Sequence, residues 1–163
     1  MPEPPSGAAL DLLERALCLE VDGEAFYRRA AATTADPAGQ RMFVELAEQE
    51  ADHQRILRRQ LESLRASGSW APDERWLGVT CDLSQSLFPQ GVARAQALGP
   101  RANELEALWF ALEKESESYE LYRQGALQAT DPIALALYQY LMAAERDHFN
   151  ILMINYEAIV NQR

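Results

Sequence analysis

The sequence predicts an all-α fold: a four-helix bundle made of two pseudo-symmetric helical hairpins joined by a long crossover. Four long segments carry apolar residues at helical spacing, and none sustains the two-residue alternation of a half-buried strand. Two of these segments open on the same dipeptide, Asp36-Pro37 and Asp131-Pro132, in which aspartate can cap the helix and proline can take its first position. Sliding the chain over itself by 95 residues, which superimposes those two dipeptides, aligns the first hairpin with the second without a gap.

The first helix runs roughly from Gly7 to Thr34, with an inward stripe of Leu10, Leu13, Leu17, Glu20, Glu24, Tyr27 and Ala31. After the stop and restart at Asp36-Pro37, the second helix continues to about Ala66. Its stripe reads Phe43, Leu46, Glu50, His53, Leu57, Leu61 and Leu64, and "ASGSWAP" ends it. The third helix, from about Arg101 to Gln128, carries Leu105, Leu108, Leu112, Glu115, Tyr119, Tyr122 and Ala126. The fourth, opened by Asp131-Pro132, carries Leu137, Leu141, Glu145, His148, Leu152, Asn155 and Ile159.

Hairpin 1 thus occupies about 7–66, hairpin 2 about 101–161, and residues 67–100 connect them. A helix of 27 residues is about 40 Å long. A connection of this length can run back along the whole bundle, with a short helix of its own around Val92 to Leu98. Trp70, Trp76, Leu77, Leu83, Leu87 and Phe88 make it too apolar for a floppy linker. A parallel return of this kind is the crossover of a ferritin-like bundle.

At 163 residues, 48% of them hydrophobic, the chain is expected to form one domain over 1–163 with a substantial core. A net charge of −10 and a pI near 4.7 argue against nucleic acid and against an anionic membrane surface as partners. No apolar run approaches the ~18 residues that a membrane span requires. The opening "MPEPPSGAAL" lacks the basic and apolar regions of a signal peptide. Cys18 and Cys81 stand alone, with neither a disulfide framework nor a set of metal-binding cysteine pairs, so a reducing cytoplasm is the expected location.

The repeat extends well beyond generic helical resemblance. Residues 16–57 and 111–152 share Ala16, Leu17, Glu20, Tyr27, Arg28, Ala31, Asp36, Pro37, Leu46, Glu50, Asp52, His53, Ile56 and Leu57 at a single offset. Both histidines of the chain close the same word, "EADH" at Glu50–His53 and "ERDH" at Glu145–His148.

Four glutamates (Glu20, Glu50, Glu115, Glu145) and both histidines therefore stand at stripe positions where leucine would be expected. A buried carboxylate must be protonated, paired or bound to metal. No lysine or arginine occupies these stripes, and four converging carboxylates would repel one another. A pair of divalent cations would neutralise them and take the imidazoles as nitrogen ligands. Glu and His three residues apart share one helix face and can reach one metal. One Glu from each of two helices, with Glu-x-x-His from each of the other two, is the ligand pattern of ferritin-like di-iron and di-manganese bundles.

"ALCLEVDGEAFYRRAA", followed by "EADH", resembles the rubrerythrin-type branch of the ferritin-like superfamily over all four helices. The resemblance implies Glu20, Glu50, His53, Glu115, Glu145 and His148 as metal ligands, with Glu50 and Glu145 bridging. It places Tyr27 and Tyr122, seven residues after the glutamates of helices one and three, as supports behind the ligands. Glu24 is a candidate extra ligand, with Tyr119 at the matching place. Asp52 and Asp147 either orient the histidines or lie on a solvated flank, whereas Glu113 and Glu117 read as solvated. Two features depart from the family pattern: Ser118 stands where rubrerythrins usually carry an additional glutamate, and the rubredoxin domain is absent.

The function implied is that of a non-haem di-iron oxidoreductase, with two iron ions in an Fe–O–Fe site and manganese or zinc as substitutes. It would reduce hydrogen peroxide or dioxygen with electrons from an external rubredoxin-like or flavoprotein donor, as a homo-oligomer of two or more chains. The alternatives are a ferroxidase that sequesters iron in a large assembly, and a bundle in which metal is merely structural. A radical enzyme is disfavoured by the short chain.

Overall fold

A computed structural model describes residues 7–88 and 93–162. Helix α1 spans Gly7–Thr33, α2 Pro37–Ser67, α3 Ala102–Gln128 and α4 Pro132–Asn161. Among the described residues there is no strand, and no helix is long and apolar enough to cross a membrane.

Both aspartate–proline starts are realised as read. The Asp36 carboxylate accepts from the Gly39 N–H at 3.0 Å, and that of Asp131 accepts from the Ile133 N–H at 2.8 Å, each satisfying a donor the helix leaves open. Helix α2 stops at Gly68, whose φ of 71° few residues with a Cβ adopt and whose N–H donates to the Leu64 carbonyl.

Helix α1 packs on α2, α3 packs on α4, and α1 crosses to α3. The core falls into two apolar clusters. One gathers Leu13 and Ala16 of α1 with the C-terminal half of α2, the C-terminal half of α3 and the start of α4. The other gathers Tyr27 and Ala30 of α1 with the start of α2, the start of α3 and the end of α4. Following each helix from one cluster to the other gives its direction: α1 and α4 run one way, α2 and α3 the other. The link from α2 to α3 is thus the predicted parallel return.

Among its described residues the link packs on the bundle at several points. Trp76 is buried, within a short 3-10 turn at Glu74–Trp76, and the Trp70 ring meets Tyr138 edge-on at 6.0 Å. Phe88 packs on Trp109 and Phe149 at 5.5 and 5.0 Å. The backbone is also tied down: Gln60 Nε2 donates to the Ala71 carbonyl, Arg123 to that of Leu83, and the Ala95 N–H to the Tyr156 hydroxyl. The short helix expected around Val92 to Leu98 is not formed at residues 93–98, which have no regular structure; Val92 lies outside the described residues. One backbone bond, from the Ala95 N–H to the Tyr156 hydroxyl, and the packing of Ala95 and Ala97 hold this segment in place of helical hydrogen bonds.

The predicted stripes of α2 and α3 are buried throughout. Two stripes are rotated by about one residue. In α1, Ala16 and Ala30 are buried while Leu17, Glu24 and Ala31 are only partly so, and in α4 Tyr156 takes the buried place expected for Asn155. A spacing of three or four residues fits the 3.6-residue turn equally well, so the pattern alone leaves such positions open.

Candidate metal centre

The six residues Glu20, Glu50, His53, Glu115, Glu145 and His148 converge midway along the bundle, between the two apolar clusters, and all are buried. They form two overlapping quartets. One ligand atom from each of Glu20, Glu50, His53 and Glu145 lies within 4.8 Å of the others, and the same holds for Glu50, Glu115, Glu145 and His148. Glu50 and Glu145 belong to both quartets, the position a pair of bridging carboxylates would occupy. The imidazoles lie nearly parallel, with ring centroids 5.6 Å apart and planes 14° apart.

His53 Nδ1 stands 3.4 Å from Glu20 Oε2, 3.5 Å from Glu145 Oε1 and 3.9 Å from Glu50 Oε2. His148 Nδ1 stands 3.4 Å from each of Glu50 Oε1, Glu115 Oε1 and Glu145 Oε2. These separations exceed the usual N–H···O distance of about 2.7–3.2 Å. Glu20 Oε2, Glu115 Oε2, both Glu145 oxygens and the Nδ1 atoms of both histidines are buried without a hydrogen-bond partner. Six buried, unpartnered ligand atoms aimed at one another are costly in an apolar interior. The same atoms are a hard-oxygen and imidazole set suited to iron, manganese or zinc, so the residues fit a pair of divalent ions.

Tyr27 and Tyr122 cross between the hairpins. The Tyr27 hydroxyl donates to Glu115 Oε1 and the Tyr122 hydroxyl to Glu20 Oε1, both at 2.5 Å. Each tyrosine thereby fixes Oε1 of a glutamate from the opposite hairpin and leaves its Oε2 buried without a hydrogen bond. Burial first, and then the charge of the carboxylate it faces, lifts each phenol well above its ordinary pKa, so both keep the proton they donate.

Without metal the cluster is electrostatically tense. Burial, reinforced by the charges of Glu115 and Glu20, pushes the Glu145 carboxyl well above the usual range. Burial also acts to raise Glu115, but the His148 charge and hydrogen bonding from neighbours including Tyr27 outweigh it and hold Glu115 low. For His148, burial acts to lower the pKa and the carboxylates, led by Glu115, outweigh it to raise it.

The remaining candidates lie outside the quartets. Glu24 is held by Arg28 Nε and Gln54 Nε2, both at 2.9 Å. Asp52 faces Arg55 and Arg75, and Asp147 is exposed, so both occupy the solvated flank. Glu113 and Glu117 are exposed as expected.

One partner has no signature in the sequence. Gln49 Oε1 lies 2.5 Å from His148 Nε2. In the neutral ring that contact places the proton on Nε2 and leaves Nδ1 as the lone-pair atom facing the cluster. The matching place in the second hairpin is Ala144, so the two halves of the site differ behind their histidines. Replacing Gln49 by alanine should weaken one metal position about tenfold or more, as losses behind a ligand histidine commonly do. A metal titration that resolves two binding steps would show one step shifted and the other unmoved.

Comparisons with known proteins bear on the fold and the family. A solved structure of a hypothetical protein from Pyrococcus furiosus superimposes with a TM-score of 0.70 at 23% identity, covering 95% of this chain and 92% of that one. At that identity the match shows a shared fold. A comparison with curated proteins finds no match. The rubrerythrin family model aligns with residues 11–155, a stretch that takes in all six cluster residues. The chain belongs to the rubrerythrin family, within the ferritin-like superfamily.

Proposed function

We propose that the six-residue cluster binds two iron ions and that the protein reduces hydrogen peroxide with electrons from an external donor, as a non-haem di-iron oxidoreductase. The observation that carries this reading is the convergence of buried, unpartnered carboxylate and imidazole atoms from all four helices, within a chain of the rubrerythrin family. The iron pair would supply two one-electron couples, matching a two-electron reduction of the oxidant; manganese could substitute, whereas zinc would bind without redox chemistry.

The chain's own residues have distinct tasks in this scheme. Glu20 with His53, and Glu115 with His148, each hold one ion, while Glu50 and Glu145 are shared. Tyr27 and Tyr122 anchor Glu115 and Glu20 through their Oε1 atoms, so each carboxylate is held by a hydrogen bond from the opposite hairpin. Leu112, Leu141 and Leu152 lie in the cores above and below and keep bulk water from those directions. The two hairpins act as one unit, because neither alone completes a quartet. The donor is a rubredoxin-like or flavin protein, and the working form is a homo-oligomer.

Ser118 supports a second reading. It is buried on α3 one turn beyond Glu115, where an additional carboxylate would make the site unequal, and its presence leaves a symmetric set of four glutamates and two histidines. Such a set also suits a ferroxidase that oxidises iron(II) with dioxygen and stores the product. Stopped-flow mixing of the anaerobic, iron(II)-loaded protein with each oxidant separates the two. The peroxidase reading expects oxidation by hydrogen peroxide to be much faster than by dioxygen, with repeated turnover once a donor is supplied. Faster oxidation by dioxygen, with ferric mineral formed from added iron, would overturn it.

A further inference from the structure

A cavity of about 260 Å³ opens between α1 and α3 and reaches the cluster. Buried Glu50 and Glu115 form its floor, and Leu19, Phe26 and Phe110 contribute apolar walls. The rings of Phe26 and Phe110 lie 4.8 Å apart, and Phe110 is 43% exposed at the outer edge. Of the two shared carboxylates, Glu50 lines this space, whereas Glu145 is fully buried and is not among its walls. The cluster is therefore approachable from this face.

Two small residues keep that face open. Gly23 and Ser118 both line the cavity, and they occupy matching places in the repeat, each three residues beyond a stripe glutamate. A Cβ at Gly23 would lie 3.5 Å from Glu50 Cδ and 3.6 Å from its Oε2, so any branched side chain there would cover that oxygen. A space of roughly 150 Å³ suffices to hold benzene, and a water-sized molecule takes about 30 Å³. At 260 Å³ the cavity is several times larger than hydrogen peroxide requires and admits a substituted ring.

We propose that the α1–α3 cavity is the oxidant-binding site and accepts short-tailed organic hydroperoxides, with Gly23 and Ser118 setting the size limit. This rests on the peroxide-reducing reading above. A hydroperoxide is neutral, so its head is compatible with a lining that carries both carboxylates (Glu50, Glu115) and cations (Arg29, Lys114), while an alkyl or aryl tail contacts Leu19, Phe26 and Phe110. Its reduction breaks the O–O bond, takes up two electrons from the donor and two protons from solvent, and yields the alcohol and water.

The test uses cumene hydroperoxide and cumyl alcohol, the redox-inert product of its reduction. Binding of cumyl alcohol to the metal-loaded protein is followed by NMR or calorimetry in wild type, Gly23→Leu, Ser118→Leu and Phe110→Ala, with metal content measured for each. Wild type should bind the alcohol. Each leucine variant should bind it about tenfold more weakly or worse at unchanged metal content, the scale on which a blocked apolar pocket discriminates. The ratio of oxidation rates, cumene hydroperoxide over hydrogen peroxide, should fall in step. Phe110→Ala alters an exposed wall without burdening the core, and should weaken the alcohol even if a leucine variant fails to fold. No alcohol binding by wild type, or equal binding by the folded variants, would overturn the assignment. If dioxygen proves the faster oxidant while cumyl alcohol still binds and is lost on blocking, the cavity stands and the peroxide reading falls. If peroxide is faster but the alcohol does not bind, the cavity assignment alone falls.

Discussion

Replacing Glu145 by leucine should abolish two-metal binding and, at the same time, make the metal-free bundle more stable than the metal-free parent. Glu145 contributes an oxygen to both quartets, so its loss removes a ligand from each. It is completely buried, and neither oxygen has a hydrogen-bond partner. With metal absent, the side chain is a fully buried carboxyl 3.5 Å from His53 Nδ1 and 3.4 Å from His148 Nδ1 with no hydrogen bond formed, and leucine there removes its desolvation cost. A buried polar group left without a hydrogen bond costs about 1–3 kcal/mol, so a hydrophobe of similar volume in its place should stabilise by about that much. The metal-loaded parent should still exceed the variant, because metal that binds only the folded chain adds its binding free energy to stability. Denaturant unfolding of the three forms checks the order: metal-loaded parent, then variant, then metal-free parent. A variant less stable than the metal-free parent would mean that Glu145 is a structural hydrogen-bonding group and not a carboxylate kept for metal.

The metal-free protein should gain stability as pH falls from about 8 towards 5.5, whereas stabilisation by added metal should decline over the same range. Glu145 and His148 both have pKa values raised in the folded chain. A raised pKa means that the folded state holds protons the unfolded state has released, so this contribution is full below the unfolded value and fades as pH rises through the folded one. Glu115 works in the opposite sense, since its pKa is lowered, but its contribution is lost only as pH falls below the ordinary carboxylate range. The window between neutrality and the acid limit is therefore governed by Glu145 and His148. Metal binding reverses the slope because its ligands must give up their protons. Thermal unfolding midpoints across this range, with chelator and with iron(II) under anaerobic conditions, should show two curves that converge at low pH. A metal-free protein most stable at pH 8 would contradict the prediction.

Much of this architecture was legible in the chain itself, for a physical reason. A glutamate or histidine at a leucine position is a conspicuous cost, and six of them at one repeat offset require a shared explanation. Glu20, Glu50, His53, Glu115, Glu145 and His148 accordingly stand together in space. The aspartate–proline caps were legible because capping depends on neighbours two or three residues away. What escaped was set by contacts between distant segments. Gln49 meets His148 across 99 positions, and an exposed glutamine on a helix has no periodic mark. Glu24 shares a stripe with Glu20, yet a slight rotation of α1 delivers it to Arg28 and Gln54 instead. The crossover's path along α3 and α4 depends on individual bonds to Arg123, Gln139 and Tyr156, none of which follows a local rule.

The central claim, that the six residues form one dinuclear site, is tested most directly by metal stoichiometry. Metal-free protein would be titrated anaerobically with iron(II), freed of loose metal and analysed for iron per chain, alongside the His53→Ala, His148→Ala double variant. The wild type should retain two iron ions per chain and show, once oxidised, the spectrum of a coupled iron pair. The double variant should bind at least about tenfold more weakly, having lost a nitrogen ligand from each quartet and the contact behind one of them. Full, tight binding of two ions by the double variant, or no more than one ion in the wild type, would contradict the account.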